Sequence, residues 1–306
     1  LIPPAARNAL LHALADRVRF DVPMARLTSL RVGGPADAVA TPADRTELAA
    51  LLAICAAHRL PHQVIGGGFN TLALDGPLVG VVIQLSRFRR LEERPGGRLR
   101  VEAGASHSQV TRHCVRRGLA GLEFAAGIPG SVGGWIAMNA GIPDREMSDV
   151  VAEIEVMSPT GRHVRHLPHA ALEFRYRALR GLAPGSVVIS ALLRVEPDEP
   201  DAVQARVDAL LARRAATQPL SVPSCGSVFK NPPGDFAGRL IEASGLKGYR
   251  IGGAQISPIH ANFIANLGGA TAADVLALIR EAQSRVEETQ GALLEREVRI
   301  VGGEPT

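Results

Sequence analysis

Three short segments carry side chains and backbone able to do chemistry. The first, Ser224-Cys225-Gly226-Ser227-Val228-Phe229-Lys230-Asn231-Pro232, brings hydroxyl, thiol, ammonium and amide groups into nine residues. Cys225 has no neighbouring histidine to activate it as a nucleophile. Ser227 lacks the Gly-X-Ser-X-Gly elbow. A hydroxyl used as a positioned proton donor needs only geometry and an electrostatic partner, and that reading survives. The second segment, Glu295-Arg296-Glu297-Val298-Arg299-Ile300, would as a strand turn Glu297 and Arg299 to one face and Val298 and Ile300 to the other. A surface ion pair is the usual meaning of such a pattern. The third, Gly66-Gly67-Gly68, follows a strand-like run. Consecutive glycines let backbone N–H groups turn toward an anion, although a tight turn alone also explains them.

A longer stretch, Gly127-Ile128-Pro129-Gly130-Ser131-Val132-Gly133-Gly134 and on to Asn139-Ala140-Gly141, has five glycines in fifteen residues and no charge. Backbone can approach a large flat molecule there. A phosphate-cradling turn together with such a loop is what FAD stretched between two subdomains would require; an irregular core loop is the alternative. Neither a Gly-X-Gly-X-X-Gly fingerprint nor a P-loop occurs.

The elements that must position these groups can be read from periodicity. Thr41, Pro42 and Asp44 read as cap, first turn and N3 of a helix whose buried stripe is Leu48, Leu51, Leu52 and Cys55. Residues 63–65 and 79–85 read as strands of a small parallel α/β unit. Residues 98–103 form a further strand, and Ser106 to Gln109 fit a capping box opening a helix that Gly118 closes. Alternation of Ala152, Ile154 and Val156 with Glu153 and Glu155 predicts a half-exposed strand, and 186–195 another, so the middle is mostly antiparallel β. Residues 196–200 read as a linker. Val203, Val207, Leu210 and Leu211 then mark one helix face. Val275, Leu278, Ile279, Ala282 and Val286 mark another, between a Thr271 cap and a Gly291 stop. Strand-like runs lie at 262–266 and 297–301.

Composition narrows the classes. With 46% apolar and 21% charged residues, the chain is too apolar to be disordered. Its 306 residues make two or three units at about 150 per domain. Only Lys230 and Lys247 are lysines, and the arginines are scattered among acids, which argues against a nucleic-acid partner. Three distant cysteines without a Cys-X-X-Cys pair argue against a disulfide framework or a metal site. The longest apolar run, 48–57, is half the roughly 20 residues a membrane helix needs. The first residues lack the apolar core and cleavage site of a leader. A cytoplasmic monomer without a membrane partner is expected.

Taken together, Thr28-Ser29-Leu30-Arg31-Val32-Gly33-Gly34, Gly66 to Asn70, Gly127 to Gly134 with Asn139-Ala140-Gly141, Tyr176-Arg177, Gly226 to Pro232, Gly252 to Asn266 and Glu297-Val298-Arg299 resemble the UDP-N-acetylenolpyruvoylglucosamine reductase (MurB) family. The match runs from about residue 20 to 302. Each motif alone is weak, but seven in the family's order are highly specific. The close spacing of Tyr176-Arg177 and Ser227 resembles the shorter subtype, which lacks an inserted tyrosine-bearing loop. The resemblance implies an α+β protein: an N-terminal helix (1–19), a two-subdomain FAD-binding fold of the vanillyl-alcohol oxidase (PCMH) type (20–86 and 87–197) and a C-terminal α+β substrate-binding domain (198–306). It also implies an FAD- and NADPH-dependent oxidoreductase of peptidoglycan synthesis that reduces the enolpyruvyl ether of a UDP-sugar to UDP-N-acetylmuramate. A flavin oxidase of the same superfamily and a catalytically silent nucleotide-sugar binding protein are the competing readings.

Carried over position by position, the resemblance implies catalytic roles for Arg177, Ser227 and Glu297. It implies FAD contacts from Arg31, Gly66, Gly67, Gly68, Phe69, Asn70, Ile128, Pro129, Gly130, Ser131, Gly133, Gly134, Asn139, Ala140 and Gly141. It implies UDP-sugar contacts from Tyr176, Lys230, Asn231, Lys247, His260 and Arg299. Phe69 stands where the family usually has serine, Ala178 replaces the serine that usually follows Arg177, and Ile142-Pro143-Asp144 replaces an aromatic-glycine turn.

Overall fold

Helix caps and buried stripes set where each element begins and which face it hides. The computed structural model describes residues 2–303. The chain forms two compact units: Leu1–Phe20, Ala38–Gly66 and Gly80–Arg213 make the first, and Asp21–Asp37, Gly67–Val79 and Arg214–Thr306 the second. They interleave in sequence: four of the five crossings fall inside Val18–Pro23, Pro35–Ala40, Leu78–Ile83 and Pro200–Thr217, and the fifth lies between Gly66 and Gly67.

In the first unit, α1 (Pro4–Leu14) and α2 (Arg45–Ala57) bury Leu10, Leu14, Leu48, Leu51, Leu52 and Cys55. The cap of α2 is Asp44, not Thr41. Its carboxylate accepts from the amides of Thr46 (2.8 Å) and Glu47 (3.0 Å), placing negative charge at the positive end of the helix. Thr41 instead donates its amide to Arg17 O. His62–Val64 pairs in parallel with Leu78–Ile83 in a sheet of order Val18–Pro23, Pro35–Ala40, Leu78–Ile83, His62–Val64.

A second sheet in this unit is antiparallel throughout, in the order Val164–Pro168, Val151–Met157, Val187–Arg194, Arg98–Glu102, Leu91–Arg94. Helix α3 (His107–Arg117) starts at Ser106 and stops at left-handed Gly118, as the sequence predicts. The capping box is incomplete, because the Gln109 amide reaches Arg89 O at 2.7 Å instead of returning to the cap. A short helix, α4 (Val132–Ala137), interrupts the glycine-rich stretch, and another, α5 (Met147–Val150), follows it. The expected linker is not a free tether: Glu196–Pro197 pairs with Leu119–Ala120, and Pro200 opens α6 (Pro200–Thr217). Only Val203 and Val207 of its expected face are buried; Leu211 is exposed.

The second unit packs α7 (Ala237–Ala243) and α8 (Ala272–Gln290) on an antiparallel sheet of order Ser224–Ser227, Phe263–Asn266, Ala254–Ile256, Arg250–Ile251. Thr271 and Asp274 form a full capping box on α8, Asp75 accepts from Ala272 N and Ala273 N, and Gly291 ends the helix. All five residues of the expected stripe are buried. Thr71–Ala73 pairs in parallel with Arg299–Val301. Among the described residues no helix is long and apolar enough to cross a membrane.

Glu155 breaks the expected alternation. A register shift between Glu155 and Val156 helps turn it inward, where it is 4% exposed. Arg45 Nη2 lies at 2.6 Å, Arg100 Nη1 at 3.1 Å and His166 Nε2 at 3.3 Å, and the Ser190 hydroxyl donates to it. Burial alone would raise its pKa, but the hydrogen bonds from Ser190 and Arg45 and the charges of Arg45 and Arg100 outweigh it, holding the carboxyl below the usual glutamate value. A depressed folded pKa contributes stability that is present at neutral pH and lost as pH falls through the carboxylate range. Glu155→Gln is therefore expected to cost about 2 kcal/mol at pH 7, less than a fully enclosed pair because Arg45 can rehydrate. The difference from wild type should shrink in urea titrations repeated at acid pH.

Candidate active site

The second unit brings several expected residues to one cleft of about 400 Å³. Ser224 pairs with Ala265 and Ser227 with Phe263, so three steps on one strand oppose two on the other. The extra residue makes a β-bulge, which Gly226 accommodates at a φ of 73°. Cys225 points into the core, where burial pushes its thiol up to about 12, so it is no nucleophile. Half-buried Ser227 lines the cleft with Asn231, Phe236, Ile259, His260 and Asn262.

The strip after Ser227 is clasped from both sides. The Asn262 side chain accepts from Phe229 N (2.9 Å) and donates to Phe229 O (2.8 Å), while Val228 N donates to Asn262 O (2.9 Å). Val228 O accepts from Glu297 N (2.8 Å) and Val298 N (3.2 Å). Asn70 then joins the same backbone, donating to Glu297 O at 3.1 Å and accepting from Arg299 N at 3.1 Å. Val298 is buried, Glu297 half-buried and Arg299 exposed, in keeping with the predicted alternation, although the paired strand begins only at Arg299. Asn262 was not among the expected site residues. Its signal was an amide at the head of an apolar strand run, Phe263-Ile264-Ala265.

His260 Nδ1 accepts from Asn262 N at 3.2 Å, which leaves its proton on Nε2. Burial first, and the charge of Lys247 second, push its pKa below the usual histidine value, so the ring is a neutral donor at pH 7. Asn231 Oδ1 accepts from Ala237 N at the start of α7. Lys230 and Lys247 are ion-paired with Glu295 and Glu242. On the other segments of this unit, Ser29 Oγ bonds Gly68 O (3.1 Å) and Ser224 O (2.6 Å), tying the glycine turn to the Ser227 strand. At Gly68 a Cβ would lie 2.3 Å from Leu27 O, and at Gly67 it would strike the Phe69 ring.

The first unit holds the remaining expected residues. A Cβ on Gly66 would lie 2.7 Å from Ser131 Oγ, and one on Gly133 would lie 3.0 Å from Ala103 Cβ. Val132 N and Gly133 N bond the carbonyls of Ala105 and Ala103, and Trp135 Nε1 bonds Ile128 O. Glycine is thus required where this strap of backbone is tightest, which fits a backbone-built cradle for a flat, phosphate-bearing cofactor. Tyr176 and Arg177 form the turn of a hairpin, Glu173–Arg175 with Ala178–Arg180. The Arg177 guanidinium lies 4.8 Å from the Tyr176 ring centroid and contacts Gly141 O.

Asn139 is a correction. Expected at the cofactor, it is 0% exposed. Its amide nitrogen donates to Glu146 (2.6 Å) and to Arg175 O (3.2 Å), and its oxygen accepts from Ser148 N (2.9 Å). It positions the Arg177 hairpin and has no surface left for a ligand. Strain marks the same places: of six described non-glycine residues at positive φ, three are Arg31, Asn139 and Arg177.

These features define a flavoprotein oxidoreductase built on a two-subdomain FAD-binding fold with a C-terminal α+β domain. The FAD binding domain family matches residues 36–166, and the family described as UDP-N-acetylenolpyruvoylglucosamine reductase, C-terminal domain, matches 218–301. Berberine bridge enzyme shares the fold at a TM-score of 0.52 and 14% identity over 65% of this chain and 44% of its own. The chain belongs to the UDP-N-acetylenolpyruvoylglucosamine reductase family. It is 48% identical to the Geobacter metallireducens reductase over 95% of this chain and 96% of that one. It is also 48% identical to the Anaeromyxobacter dehalogenans (strain 2CP-C) reductase, over 95% and 89%. The crystal structure of the Thermus caldophilus enzyme (MurB) aligns with a TM-score of 0.80 at 37% identity, covering 93% of this chain and all of that one.

The φ of 58° at Arg177 separates backbone from side-chain effects. Arg177→Gly should be about 1 kcal/mol more stable than Arg177→Ala in thermal melts, since both lose the guanidinium but only glycine relaxes the turn.

Proposed function

We propose that this chain reduces the enolpyruvyl ether of UDP-N-acetylenolpyruvoylglucosamine to UDP-N-acetylmuramate at the expense of NADPH, a step of peptidoglycan synthesis. FAD, which the glycine-bearing backbone of residues 66–70 and 127–134 would hold, would supply the hydride chemistry that links NADPH to the enolpyruvyl ether. The chain's own residues manage charge and protons. Hydride addition builds negative charge on the conjugated carboxylate, which becomes enolate-like. Arg177, permanently charged and held on a strained turn, would stabilise that charge. Ser227 would deliver the proton to the α-carbon, and Glu297 would assist at the carboxylate oxygens. Lys230, Asn231, Lys247, Arg299 and the neutral His260 would hold the UDP-sugar, with Tyr176 beside the substrate. Residues 20–86 and 87–197 would serve FAD and 198–306 the substrate. A cytoplasmic, monomeric enzyme completes the reading.

The observation that carries it is the Gly226 bulge, which sets the Ser227 hydroxyl on a cleft wall with Asn231 and His260 while Glu297 is bonded to the very next residue. A hydroxyl so placed is poised to act on a ligand in that cleft.

Stopped-flow absorbance separates the two half-reactions. Ser227→Ala should leave flavin reduction by NADPH within about twofold of wild type and slow reoxidation by the UDP-sugar by ~10²–10⁴-fold. Equal losses in both would assign Ser227 a structural role. Fast oxygen-dependent turnover of an alcohol without NADPH would replace the reductase reading with an oxidase.

A further inference from the structure

Two lysines beside the cleft of the second unit, and Arg239 on its wall, each hold a carboxylate. Lys247 Nζ lies 2.8 Å from Glu242 Oε1, Lys230 Nζ 2.5 Å from Glu295 Oε1, and Arg239 Nε 2.7 Å from Asp235 Oδ1. Glu242 and Arg239 line the cleft, and Lys230 adjoins the lining residue Asn231. A carboxylate lining a cleft read as a diphosphate site is an electrostatic conflict. Its partners point to a resolution. The two lysine side chains are 34% and 21% exposed, whereas Glu242 and Glu295 are 56% and 73% exposed. In these two pairs the cation is the more enclosed member and the acid stands nearer water; in the third the order is reversed, Arg239 being 55% and Asp235 29% exposed. Ion pairs with an exposed partner are worth little, so Glu242 and Glu295 can leave at small cost.

We propose that Glu242 and Glu295 are exchangeable counter-anions, which hold Lys247 and Lys230 in place until the diphosphate of a nucleotide-sugar displaces them. This rests on the reading of the cleft as the UDP-sugar site. The device selects by charge. Releasing two carboxylates costs the same whatever the ligand, and only a ligand with several negative charges and many acceptor oxygens recovers that cost. A monophosphate recovers less, and a neutral sugar nothing. With each cation matched by an acid the free site is close to neutral, so wild-type affinity should depend only weakly on ionic strength. On product release the acids return to their cations, which keeps the diphosphate from being held too tightly.

The test is calorimetric titration of the flavin-loaded enzyme with UDP and with UMP, at low and high ionic strength. Glu242→Gln and Glu295→Gln should each bind UDP roughly threefold to fivefold more tightly than wild type at low salt. Their salt dependence should be steeper and their preference for UDP over UMP smaller. Lys247→Ala should bind UDP more weakly. Unchanged or weaker UDP binding in both Gln variants, with Lys247→Ala still weakened, would overturn the exchange and leave the cleft assignment standing. Absence of UDP binding to wild type, with Lys247→Ala no different, would overturn the cleft assignment itself.

Discussion

Everything around Ser227 depends on how the backbone of Val228 and Phe229 is satisfied after the strand has been broken. A bulge frees a side chain to leave its sheet, but it also leaves amides and carbonyls without ladder partners in a place sealed from water, where an unpaired group costs about 1–3 kcal/mol. Asn262 answers for Phe229 with both ends of its amide, imitating the missing strand. Glu297 and Val298 answer for Val228 O. The consequence reaches beyond local stability. The residue proposed to donate the proton and the residue proposed to assist at the carboxylate are tied to the two sides of one peptide strip, so neither can shift without the other. Asn70 extends the clasp by bonding the Glu297 and Arg299 backbone, and Ser29 links Gly68 to Ser224. The glycine turn and the Ser227 strand are thereby one hydrogen-bonded object.

The first unit solves a related problem by other means. Its guanidinium must stand out from a two-residue turn, and the turn is held open by a fully buried amide. Asn139 uses both donors and its acceptor on Glu146, Arg175 O and Ser148 N. Buried amides so fully used rigidify what they touch. Three strained non-glycine residues fall among those expected at the site, and strain of about 1–3 kcal/mol each persists only where the surroundings overdetermine the backbone. Here the overdetermination is visible atom by atom.

Much of this was legible in the sequence where one residue decides one feature. Gly118 and Gly291 end helices because the left-handed position after a helix favours glycine. The stripe from Val275 to Val286 is buried because its spacing allows one apolar face. What escaped was settled by partners distant in sequence. Asp44 is the cap because the helix begins at Arg45, which leaves Thr41 upstream with its backbone amide on Arg17 O. Glu155 is buried because Arg45, Arg100, Ser190 and His166 come to it from four other elements. Asn139 reads as a ligand residue from its motif, and only the Arg175 carbonyl 36 residues away reveals it as a support.

The same contrast explains why the charge around the cleft was harder to read than the clasp. Lys230 and Lys247, the only lysines in the chain, draw attention as cations. Their partners, Glu295 and Glu242, are unremarked among thirty acids. A lysine suits this place better than an arginine: its ammonium is a point charge on a flexible stem, without the planar fork that locks a guanidinium to one carboxylate in a bidentate grip. A cation meant to change partners during each cycle gains from being easy to release. Arg239, held by Asp235 through both Nε and Nη2, lacks that ease of release and stays with its own acid.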